Sequence, residues 1–137
     1  MRLAEPVSAS LVGMRILVVE DQDSIRRMIE ALVGARGYRV TAVSTGTKAL
    51  DVALTDPPDM VLLDLMIPGY DGFEVCRRLR SDPTTRGVPV LIISALDDPD
   101  SRAKAAEAGA TAYYTKPFSP MALLKEIDRL KVEAGKS

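Results

Sequence analysis

The run Met60-Val61-Leu62-Leu63-Asp64 sets four apolar residues directly before a lone carboxylate. A short apolar run of this kind suits a strand buried on both faces, as in a parallel sheet covered by helices. The pattern recurs. Ile16–Val19 ends on Glu20 and Asp21, Val90–Ile93 on Ser94 and Ala95, and Ala112–Thr115 on Lys116 and Pro117. Parallel strands run the same way, so four of them deliver three acids, a hydroxyl and an amine to one sheet edge. That edge is where open α/β sheets bind ligands.

The segments between these runs read as helices. Asp23 or Ser24 is the predicted cap of the first, with Ile25, Met28, Ile29, Leu32 and Val33 on its inner face and Gly34 or Gly37 at its end. Tyr38–Val43 alternates as a strand. Ser44 or Thr45 caps a helix that turns Leu50, Ala53 and Leu54 inward and stops at Asp56-Pro57-Pro58. Pro68-Gly69 marks a loop, and Asp71 caps a helix carrying Phe73, Val75, Cys76 and Leu79. Asp97–Gly109 is an alanine-rich helix closed by glycine. Ser119 and Pro120 open the last helix, with Met121, Leu124, Ile127 and Leu130 as its inner stripe. Five βα units in succession demand right-handed crossovers and a doubly wound α/β sheet. Residues 1–13 show no period and read as a flexible leader, residues 14–131 as the domain, and Val132–Ser137 as a fraying tail or the start of a linker.

Composition narrows the chemistry. With 18 basic and 19 acidic residues, the 137-residue chain has no bulk attraction for nucleic acid. No apolar run approaches a membrane span. The single cysteine, Cys76, allows no internal disulfide and suits a reducing cytoplasm. There is no histidine, which excludes serine–histidine and cysteine–histidine catalysis and any imidazole metal site within the chain. A metal here must sit on oxygen, which favours Mg²⁺, Mn²⁺ or Ca²⁺ over zinc.

Clustered acids repel and raise one another's pKa unless a cation intervenes. Asp21, Asp64 and a backbone carbonyl suit Mg²⁺, with Glu20 acting through a bound water. Lys116 can pair with Asp64 or with phosphoryl oxygens, and Ser94 adds a hydroxyl donor. Asp64 is the natural carboxylate nucleophile for an acyl phosphate, because it stands alone after an apolar run. Arg26, Arg27, Arg77, Arg78 and Arg80 read as solvated helix surface, with kinase docking as the alternative for Arg26 and Arg27. Met28, Met60 and Met121 read as core.

Four stretches together resemble the receiver domain of a bacterial two-component response regulator. They are Ile16–Asp21, Leu62–Gly72, Ile92–Ala95 and Thr115–Phe118. The resemblance spans about Arg15 to Leu130. It implies a flavodoxin-like (βα)5 sheet in order 2-1-3-4-5. It implies that Asp64 accepts a phosphoryl group from a phosphohistidine of a sensor histidine kinase or a histidine phosphotransfer protein. Glu20, Asp21 and Asp64, with the Met66 backbone carbonyl, become the Mg²⁺ ligands, and Mn²⁺ is the alternative ion. Ser94 and Lys116 would hold the phosphoryl group. Tyr113 takes the position of a switch aromatic that moves inward with Ser94. The face of the fourth helix, fifth strand and fifth helix would then take a partner or a second copy. The resemblance also implies a cis Lys116-Pro117 bond. No turnover enzyme is implied, only assistance in the domain's own phosphorylation and dephosphorylation.

Two features depart from that pattern. Glu20 stands where many receivers have aspartate. Met66 and Leu96, two positions past Asp64 and Ser94, are apolar and predict a slowly hydrolysed phosphoaspartate. A phosphatase with an aspartyl nucleophile would need a second aspartate where Met66 stands. A flavin carrier would need a hydroxyl- and glycine-rich loop where Glu20-Asp21-Gln22-Asp23 stands.

Overall fold

A computed structural model describes residues 14–136, with side chains to Lys131. The predicted leader, residues 1–13, lies outside the described residues. Five strands form one parallel sheet: β1 (Arg15–Val19), β2 (Arg39–Val43), β3 (Met60–Leu63), β4 (Val90–Ser94) and β5 (Ala112–Thr115). They alternate with α1 (Asp23–Gly34), α2 (Gly46–Thr55), α3 (Gly72–Ser81), α4 (Pro99–Ala108) and α5 (Pro120–Lys136). The strand order is β2-β1-β3-β4-β5, the doubly wound order expected. The Lys116-Pro117 peptide is cis.

Alternation along the strands divides the core into two layers. Leu17, Val19, Val61, Leu63 and Ile92 pack against α2, α3 and α4 through Leu50, Ala53, Val75, Leu79 and Ala105. Ile16, Val18, Leu62, Leu91 and Ile93 pack against α1 and α5 through Ile29, Val33, Leu123 and Ile127. The central strands β3 and β4 are buried along their whole length, which explains their unbroken apolar runs.

Caps form largely where side-chain chemistry places them. Thr45 accepts the Lys48 N–H at 3.0 Å, Asp71 the Glu74 N–H at 2.9 Å and Ser119 the Ala122 N–H at 3.2 Å. Gly109 closes α4 in the left-handed region, at φ 105°. The start of α1 differs from expectation. Gln22 occupies the cap position without a side-chain cap bond, and Asp23 is the first helical residue, its carboxylate engaged by Arg26.

Three predicted core residues face outward. Met28, Leu54 and Met121 are exposed, and Leu123, fully buried, takes the place assigned to Met121 on α5. Each belongs to a periodic apolar stripe wider than the face the sheet can cover. The α5 backbone stays helical to Lys136, so the stretch read as a tail begins as helix. Its Val132-Glu133-Ala134 segment contains no helix breaker.

The β3–α3 loop is fixed by two close backbone approaches. The Gly46 N–H donates to Pro68 O at 2.9 Å, and a Cβ on Gly46 would sit 1.8 Å from Tyr70 O. The Gly72 N–H donates to Leu65 O at 3.0 Å, and a Cβ there would lie 2.5 Å from both Asp64 O and Leu65 Cα. Only glycine lets α3 begin this close to the end of β3. Gly72→Ala must push backbone against backbone, and about 1–3 kcal/mol of stability is expected to be lost in urea unfolding. A variant as stable as wild type would show that the loop yields freely.

Candidate functional site

Register brings the polar residues together. β1 pairs with β3 so that Val19 faces Leu63, which sets Glu20 beside Asp64 one step on. β4 pairs with β5 so that Ser94 faces Thr115, which sets Lys116 just beyond. The Asp64 N–H donates to Val19 O and the Lys116 N–H to Ser94 O, so each pairing persists to the sheet edge.

The side chains converge there. Carboxylate oxygens of Glu20, Asp21 and Asp64 lie within 4.8 Å of one another. Lys116 Nζ donates to Glu20 Oε1 at 2.7 Å and to Asp64 Oδ2 at 2.9 Å. Asp64 Oδ1 accepts the Met66 N–H at 3.1 Å, and Glu20 Oε2 accepts the Gln22 N–H at 3.0 Å. Glu20 is 2% exposed and Asp64 5%, whereas Asp21 is exposed. Two nearly buried carboxylates side by side would be strongly unfavourable without a counter-charge, and Lys116 supplies it.

Burial pushes the Glu20 carboxyl above the usual range, and the hydrogen bonds from Lys116 and Gln22 only partly offset it. For Lys116, burial pulls downward, but the hydrogen bonds to Glu20 and Asp64 overcome it and the net shift is upward. The all-oxygen donor set suits a hard divalent cation.

Ser94 is buried, and its Oγ accepts the Leu96 N–H at 3.2 Å. Tyr113 packs against the core layer that contains Ile92, and its hydroxyl donates to Leu96 O at 2.7 Å. The Leu96 backbone therefore meets Ser94 through its N–H and Tyr113 through its carbonyl. The Arg102 guanidinium lies over the Tyr113 ring at 4.5 Å.

Two arginines read as surface are engaged with backbone instead. Arg26 folds back on the β1–α1 turn, donating to Glu20 O at 3.0 Å. Arg80 donates to the carbonyls of Gly109, Arg86 and Val88, joining α3 to the segments that lead into β4 and β5. Helical position alone does not show that a long side chain will turn back on its own fold. Gly46 likewise carries no signal in the sequence, since its need for closeness arises only when the β3–α3 loop docks on α2.

The family model for the response regulator receiver domain matches residues 16–128. The chain belongs to this family. This receiver domain is 45% identical over 119 residues to the response regulator PleD of Caulobacter vibrioides, covering 87% of the chain and 26% of PleD. It is 37% identical over 125 residues to the phosphate regulon regulator PhoB of Pseudomonas aeruginosa, covering 91% of the chain and 55% of PhoB. It thus spans from about a quarter to about half of these curated relatives. Its fold matches the receiver domain of the sensor histidine kinase PA1611 from Pseudomonas aeruginosa, solved with a magnesium ion in its active-site cleft. The TM-score is 0.80 at 33% identity, covering 85% of this chain and 96% of that one. Among the described residues no helix is long and apolar enough to cross a membrane.

The raised Glu20 carboxyl has a testable sign. A group whose pKa is higher folded than unfolded favours the native state below its unfolded pKa and loses that contribution as pH rises through the folded value. In metal-free buffer, Glu20→Gln is therefore expected to flatten the fall in stability above pH about 4.3 and to match wild type below it. Urea unfolding across pH in EDTA measures this. An unchanged pH slope would contradict it.

Proposed function

We propose that this receiver domain is a phosphorylation switch whose acceptor is Asp64. The observation that carries the reading is the fixed Asp64 carboxylate, with Oδ1 on the Met66 N–H, Oδ2 on Lys116 and the Glu20 and Asp21 acids alongside. A carboxylate oxygen attacks the phosphorus of a phosphohistidine on a sensor histidine kinase or histidine phosphotransfer protein. The phosphorus–nitrogen bond breaks, and the donor imidazole leaves. Lys116 then faces an acyl phosphate in place of a free carboxylate, and its charge serves the phosphoryl oxygens. Ser94 donates its hydroxyl to the same group.

Glu20, Asp21 and Asp64, with the Met66 carbonyl, would hold Mg²⁺, Glu20 through a water; Mn²⁺ shares the preference for oxygen. Bound there, the ion neutralises the acids and the incoming phosphoryl oxygens. The magnesium in the cleft of the PA1611 receiver domain supports this assignment. The domain assists its own phosphorylation and dephosphorylation and is not a turnover enzyme.

The output runs through Leu96. Ser94 moving toward the phosphoryl group changes its bond to the Leu96 N–H, while Leu96 O holds Tyr113. The α4–β5–α5 face then repacks and takes a partner or a second copy of the chain. A net charge of −1 gives no drive toward direct contact with nucleic acid. Cytoplasmic placement fits Cys76, a buried free thiol whose pKa is pushed up by burial.

Incubation with acetyl phosphate and Mg²⁺ should raise the intact mass by one phosphate in wild type and leave Asp64→Asn unchanged. Equal labelling of both would move the acceptor elsewhere. Met66 and Leu96 give an attacking water no polar side chain to guide it. Once donor is removed, the phosphoprotein should persist for minutes or longer in Mg²⁺. Loss within seconds would contradict that role for the two apolar residues.

A further inference from the structure

Arg26 sits on α1, yet its side chain is only 19% exposed. Nη1 donates to Glu20 O at 3.0 Å and reaches Asp21 O at 3.4 Å. Nη2 donates to Asp23 Oδ1 at 2.6 Å. One guanidinium thus spans the β1–α1 turn from Glu20 and Asp21 to Asp23.

The reason lies in the sheet. Paired registers on both sides of β1 end at Val19, and the Glu20 N–H makes one more bond, to Val43 O at 3.0 Å. The Glu20 and Asp21 carbonyls fall past the ladder, where backbone groups need another partner. Arg26 is that partner. Inside the turn, Glu20 Oε2 holds the Gln22 N–H. No described residue hydrogen-bonds the Asp21 carboxylate, so its reach toward Asp64 depends on where the backbone of this turn puts its Cα and Cβ.

We propose that Arg26 is a positioning residue for the divalent cation, fixing the Glu20–Asp21 backbone so that both carboxylates face Asp64. This rests on the cation-binding reading above and adds a residue outside the acid cluster. Geometry and charge make opposite demands. A positive group near a cation site weakens binding if only its charge matters. A group that holds the ligands in place strengthens it, and the ion pair with Asp23 mutes the repulsion.

The test is calorimetric titration of Mg²⁺ into the full chain without phosphodonor, for wild type, Arg26→Ala, Arg26→Lys and Arg27→Ala. Partners that orient metal ligands typically change affinity 10- to 100-fold. Arg26 acts on backbone rather than on the ligating atoms, so Kd is expected to rise on the order of tenfold in Arg26→Ala. Arg26→Lys should weaken binding too, because one ammonium cannot span both carbonyls and Asp23. Arg27→Ala removes the same charge one residue along and should leave Kd unchanged. If the alanine variant fails to fold by circular dichroism, the lysine variant carries the comparison. Wild-type or tighter binding in the Arg26 variants would overturn this inference alone. No Mg²⁺ binding by wild type would overturn the cation reading itself, and this inference with it.

Discussion

One ammonium group lets two nearly buried carboxylates share a sheet edge. Lys116 Nζ touches both Glu20 and Asp64, and those three side chains come from three different strand ends. An acid pair that close and that dry would otherwise repel, or one member would take up a proton. The arrangement makes Asp64 a carboxylate already held in place, with Oδ1 on the Met66 N–H and Oδ2 on the Lys116 ammonium.

That contact is a product of register. In a parallel sheet every strand ends at the same edge, and the ladder bonds Asp64 N–H to Val19 O and Lys116 N–H to Ser94 O carry the alignment one residue past the strands. A slip of one residue in β3 would turn the Asp64 side chain to the opposite face of the sheet. Such a slip would draw Asp59 or Asp64, the acids at the two ends of the buried β3 run, into the core, and the cost of burying a charge opposes it. The tight seats of Gly46 and Gly72 then lay the β3–α3 loop beside the site. Core packing and site geometry are consequently one problem here, solved by the same residues.

Much of this was legible in the amino-acid order. Four apolar runs each ended on a polar residue, and glycine, proline and caps punctuated the helices between them. Those signals are local, and they located the strand ends carrying Glu20, Asp21, Asp64, Ser94 and Lys116. What the amino-acid order does not carry depends on distance rather than on pattern. Met28, Leu54 and Met121 fit apolar stripes, but the sheet covers a narrower arc of each helix. Arg26 and Arg80 fit a solvated face, but backbone carbonyls stranded beyond the ladder or at loop ends drew them inward. Gly46 reads as an ordinary helix start until Tyr70 O is placed against it.

Lys116 and Asp64 hold one another at the sheet edge. A double-mutant cycle of Lys116→Met and Asp64→Asn, followed by urea unfolding in EDTA at neutral pH, measures this contact directly. Contacting residues of one network couple by about 0.5–3 kcal/mol, and a favourable coupling above about 1 kcal/mol is expected here. Additive effects, with coupling below about 0.3 kcal/mol, would show that the ammonium does not hold Asp64.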